Sequence, residues 1–297
     1  MQKFLFAAVL LTALLYSCEQ SGPGEYTTKL GTEYTLHTAG TATKPAVGEY
    51  VYFHAYMRNG DSIMFNTRDG GQTPVIQAGA DSLTKDQIGP VEDVIRYLGV
   101  GDSATVAIRI DTFPSKPPGF EDADYIYYDI AIEEIVDEDT YNTRKGEEAA
   151  KAQAEMDAVI TRAPAVLAFA EETRQAYEAG SLEGIQTTAS GLKYVIHEEG
   201  SGPAATPGNP VDVQYLGMLL DGTVFDQSFE RGRSINFPLG QGRVIPGWDE
   251  GIALLKEGAK ASFFIPSELA YGPDGTPDGS IPADSELMFY VELEKAY

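Results

Sequence analysis

The chain has 297 residues, enough for about two domains of ~100–200 residues each. Its formal net charge of −24 at pH 7 disfavours binding to nucleic acid, which needs a basic surface, and electrostatic docking on anionic lipid. Because the chain has a single cysteine, an intramolecular disulfide and a cysteine-rich metal site are both excluded.

The first element is an apolar run, Phe4 to Tyr16, which follows Lys3 and is too short to span a membrane. Such a run is typical of a secretory signal peptide. It leads into Leu-Leu-Tyr-Ser-Cys, which resembles a bacterial lipobox and implies lipidation of Cys18. We therefore expect residues 1–18 to be a lipoprotein signal peptide and residues 19–28 a flexible tether.

On this interpretation the protein is an exported bacterial lipoprotein, anchored to the outer or the inner membrane and facing the periplasm. The alternative is an ordinary signal peptide, in which Cys18 is removed or left unmodified. The protein would then have no lipid anchor, so the two alternatives differ in whether Cys18 is lipidated.

Residues 29–137 and 188–297 are similar to each other. Matching residues lie 160 positions apart without a gap: Tyr34–His37 with Tyr194–His197, Asp61 with Asp221, and Phe65 with Phe225. A repeat of this length indicates two copies of one fold, because the units of a solenoid have only ~20–50 residues.

Between the copies, residues 138–187 are rich in strong helix formers. Apolar residues recur there with heptad-like spacing at Ala149, Met156, Ala163, Ala170 and Tyr177, with Ala152, Val159 and Val166 between them. Pro164 interrupts this pattern and predicts two helices, or one kinked helix, with the second part beginning near Pro164. Two interpretations stay open: the apolar stripe packs on the protein's own domains, or the linker forms a homodimer.

The pattern after Thr187 is that of an antiparallel sheet with one short helix. Strands are predicted at residues 191–196, 211–219, 259–265 and 286–293, and the helix at residues 249–255. Asp221-Gly222 is typical of a hairpin turn. Together these elements predict an α+β fold.

The C-terminal third also carries long, ordered motifs. These are the stretch from Val211 to Trp248, Pro-Gly-Trp-Asp-Glu-Gly at 246–251, Leu-Ala-Tyr-Gly at 269–272 and Leu-Met-Phe-Tyr-Val-Glu-Leu at 287–293. They closely resemble the FKBP family, the macrolide-binding peptidyl-prolyl cis-trans isomerases. The resemblance implies two FKBP-like domains joined by a helical linker, each with an antiparallel sheet wrapped on one short helix.

The resemblance further implies an apolar pocket that stabilises the twisted X-Pro amide without a nucleophile, a metal or a cofactor. Trp248 would lie beneath the proline ring, Tyr271 would donate its hydroxyl to a substrate carbonyl, and the backbone N–H of Ile245 would be a second donor. Asp226 would lie at the wall near the twisting carbonyl. The other wall residues would be Tyr215, Phe225, Val244 and Phe289.

Tyr215 and Arg231 would pair with the Asp226 carboxylate, which as a buried acid needs hydrogen bonds. They are expected either to hold Asp226 or to touch the substrate. The rim of the pocket would include Arg231, Ile235, Arg243 and Ile281. Arg243 replaces a glutamate and Ile235 a phenylalanine of the human family archetype, so sequence preference and macrolide binding are left open.

The first copy lacks the residues that define this pocket. Ala55 stands at the position of Tyr215, Asn66 at that of Asp226 and Val91 at that of Trp248. We therefore expect a non-catalytic domain whose site is shallow or filled, and which serves as a spacer, an interaction surface or a chaperone module.

The leading hypothesis is a peptidyl-prolyl isomerase that assists the folding of proline-containing unfolded or nascent exported proteins. The alternative is a non-catalytic chaperone or assembly lipoprotein that uses the FKBP fold to bind clients. The two hypotheses are compatible if the C-terminal copy is catalytic and the rest of the chain holds clients.

Overall fold

The computed structural model describes residues 22–41, 43–70, 73–80, 82–111 and 113–297. The predicted signal peptide, the lipidation site Cys18 and the first residues of the tether lie outside the described residues. The chain divides into two compact units, Met1–Gly146 and Glu147–Tyr297. None of the helices described is long and apolar enough to cross a membrane.

Within its described residues, the N-terminal unit has seven strands and one short α-helix. They are β1 (Gly24–Thr27), β2 (Glu33–Thr38), β3 (Tyr50–Asn59), β4 (Ser62–Asn66), β5 (Val75–Gln77), α1 (Pro90–Ile95), β6 (Ser103–Arg109) and β7 (Tyr125–Val136). The strands form one antiparallel sheet in the order β1-β2-β6-β7-β3-β4, with β5 paired to β3. A 3-10 turn at Thr67–Gly70 follows β4.

A single helix, α2 (Glu138–Glu178), leads out of this unit into the C-terminal one, where seven more strands and a short helix follow. They are β8 (Gln186–Thr187), β9 (Lys193–Glu198), β10 (Pro210–Leu219), β11 (Val224–Gln227), β12 (Ile235–Pro238), α3 (Pro246–Ile252), β13 (Lys260–Ile265) and β14 (Leu287–Ala296). Short 3-10 helices lie at Phe229–Arg231, Ser267–Leu269 and Gly272–Asp274.

The second sheet repeats the strand order of the first. Its order is β8-β9-β13-β14-β10-β11, with β12 paired to β10, and every pairing is antiparallel. Each strand of the N-terminal unit therefore has a counterpart at the same place in the C-terminal sheet. The predicted α+β class is confirmed, and the internal sequence repeat corresponds to a repeat of topology.

Helix α3 packs closely on the C-terminal sheet because two of its residues are glycines. A Cβ atom at Gly251 would lie 2.9 Å from the Phe263 ring, and one at Gly247 would lie 2.5 Å from Ile265. Pro246 occupies the first turn, where its missing N–H costs nothing. The helix consequently holds Trp248 against the core, with 4% of its surface exposed.

Helix α2 is continuous over 41 residues, with Pro164 inside it. The two-helix alternative is therefore wrong. A proline in a helix interior costs ~3 kcal/mol through its lost hydrogen bond and steric clash. Ala163 and Val166, on either side of it, are buried on the C-terminal sheet, and this burial offsets the cost.

The second half of α2 covers the face of the C-terminal sheet opposite α3. Ala163, Val166 and Ala170 are buried there with Leu216, Met218, Phe229, Phe264, Met288 and Tyr290. The Tyr177 ring stacks on Phe264 with centroids 3.7 Å apart. Both carboxylate oxygens of the buried Glu292 lie 3.0 Å from Nη1 of Arg162. This part of the predicted linker thus packs on the protein's own domain, as the first of the two interpretations states.

Candidate functional site

A cavity of about 400 Å³ opens on the C-terminal unit between α3 and the strands β10, β11 and β14. The predicted pocket residues are brought together around it: Tyr215, Phe225, Asp226, Ile235, Arg243, Val244, Ile245, Trp248, Tyr271, Ile281 and Phe289. Arg231 is absent from the lining and contacts two of the lining residues instead. Thr276 and Ser280 also line the cavity, and they belong to the loop at residues 273–280, which the family resemblance implies lies at the rim.

Four aromatic rings form the floor and one wall of the cavity. The Trp248 ring meets Tyr215 edge to face at 5.0 Å and Phe289 at 5.2 Å between centroids. Phe225 meets Phe289 in the same way at 5.4 Å. Edge-to-face contacts are a preferred geometry for aromatic pairs, so each ring fixes the orientation of its neighbours.

A polar network of three residues borders these rings. The Tyr215 hydroxyl donates a hydrogen bond to Oδ2 of Asp226. Arg231 donates to Oδ1 of Asp226 at 2.8 Å and to the Tyr215 hydroxyl at 2.8 Å. Burial, together with the adjacent carboxylate, raises the pKa of Tyr215 to about 12, so the hydroxyl stays protonated and remains a donor.

Asp226 is less buried than the sequence led us to expect. The side chain is 47% exposed, because it lies at the mouth of the cavity on the short edge strand β11. Partial burial raises the pKa of its carboxyl. The hydrogen bonds from Tyr215 and Arg231 lower this pKa by more than burial raises it, so the net shift is downward. The carboxylate is therefore charged at neutral pH and has a fixed orientation.

The indole N–H of Trp248 is buried without a hydrogen-bond partner, and two donors at the mouth of the cavity also have none among the described residues. One is the hydroxyl of Tyr271, which is 41% exposed. The other is the backbone N–H of Ile245, the residue that caps α3 in an extended conformation. Burial, and then the Asp226 carboxylate, raise the pKa of Tyr271, which keeps its hydroxyl protonated.

Two supporting residues were missed in the sequence. The Asp249 carboxylate accepts hydrogen bonds from the backbone N–H groups of Gly240 and Gly242, at 2.8 and 3.0 Å, and so fixes the loop that carries Arg243. The buried Ser228 hydroxyl accepts from the Tyr215 N–H at 2.7 Å. An acid in the first turn of a helix preceded by two glycines is a signal that could have identified Asp249.

The rim of the cavity carries a cation that is free to meet a ligand. Arg243 is exposed and forms no ion pair with any described residue. The facing loop is held by Thr276, whose hydroxyl accepts from the Ile281 N–H at 2.9 Å and whose own N–H donates to the Ile281 carbonyl at 2.9 Å. The described parts of the chain contain no cluster of His, Cys, Asp or Glu suited to a metal ion.

The N-terminal unit has a cavity of about 570 Å³ at the equivalent place. Ala55 and Val91 line it, together with Phe65 and Tyr128, which occupy the positions of Phe225 and Phe289. The expectation of a shallow or filled site is therefore wrong. Ala55 and Val91 leave space where the C-terminal unit has two large aromatic rings, although Phe53 and Met57, at the positions of Val213 and Gly217, line the cavity with larger side chains.

The C-terminal unit resembles known proteins. A family model described as FKBP-type peptidyl-prolyl cis-trans isomerase matches residues 202–294. The chain is 49% identical over 118 residues to the "Probable FKBP-type peptidyl-prolyl cis-trans isomerase FkpA" of Neisseria meningitidis serogroup B, which covers 40% of this chain and 42% of that protein. It is 52% identical over 102 residues to "FK506-binding protein 2" of Yarrowia lipolytica, which covers 34% of this chain and 69% of the relative.

Among solved structures, FkpA from Escherichia coli shares 38% sequence identity, with a TM-score of 0.37, over 53% of this chain and 70% of that one. The chain spans about half or less of the FkpA relatives it matches, between 40% and 50% of their length. The Yarrowia relative is matched at 52% identity over 69% of its length, which is more than two thirds. The chain therefore belongs to the FKBP-type peptidyl-prolyl cis-trans isomerase family.

Proposed function

We propose that the C-terminal unit catalyses cis-trans isomerisation of X-Pro peptide bonds. The observation that carries this proposal is an apolar cavity of about 400 Å³ with a buried indole at its base and two free hydrogen-bond donors at its mouth. Such a cavity fits a proline ring with its flanking carbonyl groups, and it needs no bound cofactor to act on them.

The chemistry follows from amide resonance. Rotation about the peptide bond passes through a twisted amide in which resonance is lost, at a barrier of ~18–20 kcal/mol. The twisted amide has less charge separation than the planar one, so an apolar, water-poor cavity stabilises it relative to both planar isomers. No bond forms or breaks, and no proton has to move.

Each wall of the cavity has a distinct role in this scheme. The proline ring lies on Trp248, between the edges of Tyr215 and Phe289. The Ile245 N–H and the Tyr271 hydroxyl hold substrate carbonyls, so that only the X-Pro bond is free to turn. Asp226 lies beside the twisting carbonyl.

Tyr215 and Arg231 act as positioning residues for Asp226. Arg231 donates from Nη1 to Asp226 and from Nη2 to Tyr215, and it is absent from the lining of the cavity. Tyr215 has a double role, since its ring forms part of the wall while its hydroxyl is bonded to the carboxylate.

The proposed substrates are proline-containing unfolded or nascent exported proteins, and the proposed location is the periplasm. Export and lipidation at Cys18 rest on the sequence pattern of the first residues. A macrolide is a possible second ligand for the cavity, with the exposed Arg243 altering the rim it would contact. A homodimer through α2 would use Ile160 and Leu167, which are 40% and 39% exposed, because the heptad stripe from Val159 to Tyr177 packs on the protein's own sheet.

The proposal is tested by following isomerisation of a short Ala-Pro peptide by NMR exchange spectroscopy, with the full chain and with Tyr271→Phe. Tyr125→Phe is a matched control, because Tyr125 is 39% exposed and lies in the N-terminal unit. We expect catalysis by the native chain, about tenfold loss in Tyr271→Phe and none in the control. Exchange no faster than in the peptide alone would reject the isomerase function.

A further inference from the structure

The cavity of the N-terminal unit differs in chemistry from the C-terminal pocket. It measures about 570 Å³ against about 400 Å³, and Ala55 and Val91 replace a tyrosine and the tryptophan at its base. Its walls are largely apolar, with Phe53, Met57 and Ile76 among them. The space is therefore wide enough for a large apolar side chain.

The polar network of the C-terminal pocket has no counterpart here. Asn66, at the position of Asp226, donates its amide to Asp69 at 2.9 Å and accepts from the Arg68 N–H at 2.9 Å, so it closes a local turn. The Thr67 hydroxyl accepts from the Ala55 N–H at 3.0 Å. The groups that would orient an amide for isomerisation are thus missing or already used, while the apolar walls remain.

An unusual edge strand borders this cavity. Strand β4 is the last strand of its sheet, paired to β3 on one side and to no strand of the described chain on the other. Its consecutive residues Ile63, Met64 and Phe65 are 60%, 43% and 58% exposed. Phe65 pairs with Met57 on the cavity face, whereas Ile63 pairs with Arg58 on the other face, with Met64 as the extra residue of a β-bulge between them. Edge strands are normally protected by charge or by cover, so exposed apolar side chains along an unpaired edge favour an interaction site.

The strand and the cavity form one continuous surface, because Phe65 belongs to both. It is the third exposed apolar residue of β4, and it also lines the cavity. An extended polypeptide that paired with the free edge of β4 would run past this opening. Every second side chain of such a segment points to the same face, so one of them can enter the cavity.

The charges near this surface favour a basic polypeptide segment over a second copy of the chain as its ligand. The loop that follows Gly119 exposes Glu121, Asp122 and Asp124, and the Gly119 carbonyl accepts a hydrogen bond of 2.9 Å from Asn59 at the end of β3. The whole chain carries a formal charge of −24. A second copy that paired here through the same strand would bring its own acidic loop against this one, whereas a basic segment would be attracted.

We propose that strand β4 and the N-terminal cavity bind an extended segment of an unfolded polypeptide without isomerising it. A large apolar side chain of the segment enters the cavity beside Phe65, and a flanking lysine or arginine meets the acidic loop at Glu121–Asp124. The site is independent of the isomerase pocket and requires no proline in its ligand.

The test is fluorescence anisotropy of a labelled twelve-residue peptide without proline, which has a central phenylalanine flanked by lysines, titrated with the full chain. Three variants are compared with the native chain. Phe65→Ser removes the exposed ring, Val91→Phe fills the cavity, and Trp248→Ala alters only the C-terminal pocket. A second peptide with serine in place of phenylalanine tests the apolar side chain.

We expect about tenfold weaker binding in Phe65→Ser, in Val91→Phe and with the serine peptide, and unchanged binding in Trp248→Ala. Phe65 is mostly exposed, so its replacement leaves the fold intact, which circular dichroism verifies. Unchanged affinity in both N-terminal variants would overturn the proposal, as would loss in Trp248→Ala alone. Sedimentation that showed a dimer dissociated by Phe65→Ser would assign the edge to a second copy and also overturn it.

Discussion

The Tyr215 hydroxyl and the Asp226 carboxylate form a direct hydrogen bond at the mouth of the C-terminal cavity, and Arg231 donates to both. The bond joins a ring of the apolar wall to the one carboxylate among the described residues that line the cavity. The hydrogen bond therefore links the position of the Tyr215 ring to the orientation of the Asp226 carboxylate.

Removal of this bond by Tyr215→Phe should raise the pKa of Asp226 toward the ordinary carboxyl value of about 3.9, because one of the donors that lower it is lost. We expect kcat/KM for a prolyl peptide to fall about tenfold, equivalent to about 1.4 kcal/mol of transition-state stabilisation. Carbon-13 NMR of the Asp226 carboxyl measures the pKa. An unchanged pKa would show that Arg231 alone holds the carboxylate.

The same hydrogen bond makes the free energy of unfolding depend on pH. The pKa of Asp226 is lower in the folded state than in the unfolded state. Its contribution to the free energy of unfolding is therefore present above the unfolded-state pKa of about 3.9 and is lost as pH falls through the folded-state pKa. The stability difference between the native chain and Asp226→Asn should therefore shrink below about pH 4. Urea unfolding at about pH 7 and about pH 3 measures it, and a difference that stayed constant would contradict the pairing.

Gly217 sets the position of the aromatic wall. A Cβ atom at this residue would lie 2.6 Å from the Phe289 ring and 2.8 Å from the Phe225 ring, so Gly217→Ala must displace both. Overpacking of this kind costs about 1–3 kcal/mol, and we expect kcat/KM to fall at least tenfold. Peptide assays and urea unfolding measure the two effects.

Gly146 provides the matched control for this substitution. It lies exposed in α2, and a Cβ atom added there would have no other atom within 4 Å. Gly146→Ala should therefore stabilise the helix by about 1 kcal/mol without affecting catalysis. Equal loss of activity in both alanine variants would show that the wall does not depend on Gly217.

Helix α2 should be part of the folded C-terminal unit. Tyr177 stacks on Phe264 at 3.7 Å and donates to Glu286 at 2.7 Å, so Tyr177→Ala should destabilise this unit by about 2–4 kcal/mol. Glu172→Ala, at an exposed position of the same helix, is the control. Thermal unfolding of the two variants compares them, and equal melting temperatures would mean that the helix is dispensable.

His197 should make the stability of the C-terminal unit fall in weak acid. It is partly buried, with Nε2 2.8 Å from the Ser262 hydroxyl and its ring centroid 4.8 Å from that of Phe169, and this burial lowers its pKa. The contribution of His197 to the free energy of unfolding is present above its unfolded-state pKa of about 6.5. It is lost as pH falls, because the unfolded state binds the proton more readily than the folded state. Urea unfolding between about pH 8 and about pH 5 should show a smaller decrease in His197→Gln than in the native chain. Equal decreases would contradict a partly buried, neutral imidazole.

Much of the C-terminal fold and site could be predicted because it depends on local patterns and ordered motifs. The alternation from Val211 to Leu219 predicted β10, and the motif around Trp248 predicted the pocket floor. The helix predicted at residues 249–255 is observed earlier in the chain, as α3 at Pro246–Ile252. The heptad spacing of α2 identified Ala163, Val166 and Ala170, which are buried on the sheet, whereas Ala149 and Ala152 of the same stripe are exposed.

Other features depended on tertiary contacts that the sequence does not display. Pro164 remains within a helix because its neighbours are buried on a sheet formed by residues far away in the chain. How far Phe53 and Met57 fill the space left by the missing aromatic rings depends on their packing in the folded unit. The hydrogen bonds of Asp249 to Gly240 and Gly242 likewise appear only once the loop is folded.

The most direct test of the isomerase proposal is kcat/KM of the full chain for a prolyl peptide with one matched pair of substitutions, Trp248→Ala and Val91→Ala, at equivalent positions of the two units. We expect about 100-fold loss in Trp248→Ala, equivalent to about 2.7 kcal/mol, and a change within about twofold in Val91→Ala. Full activity in Trp248→Ala, or equal losses in both variants, would contradict a single isomerase site in the C-terminal cavity.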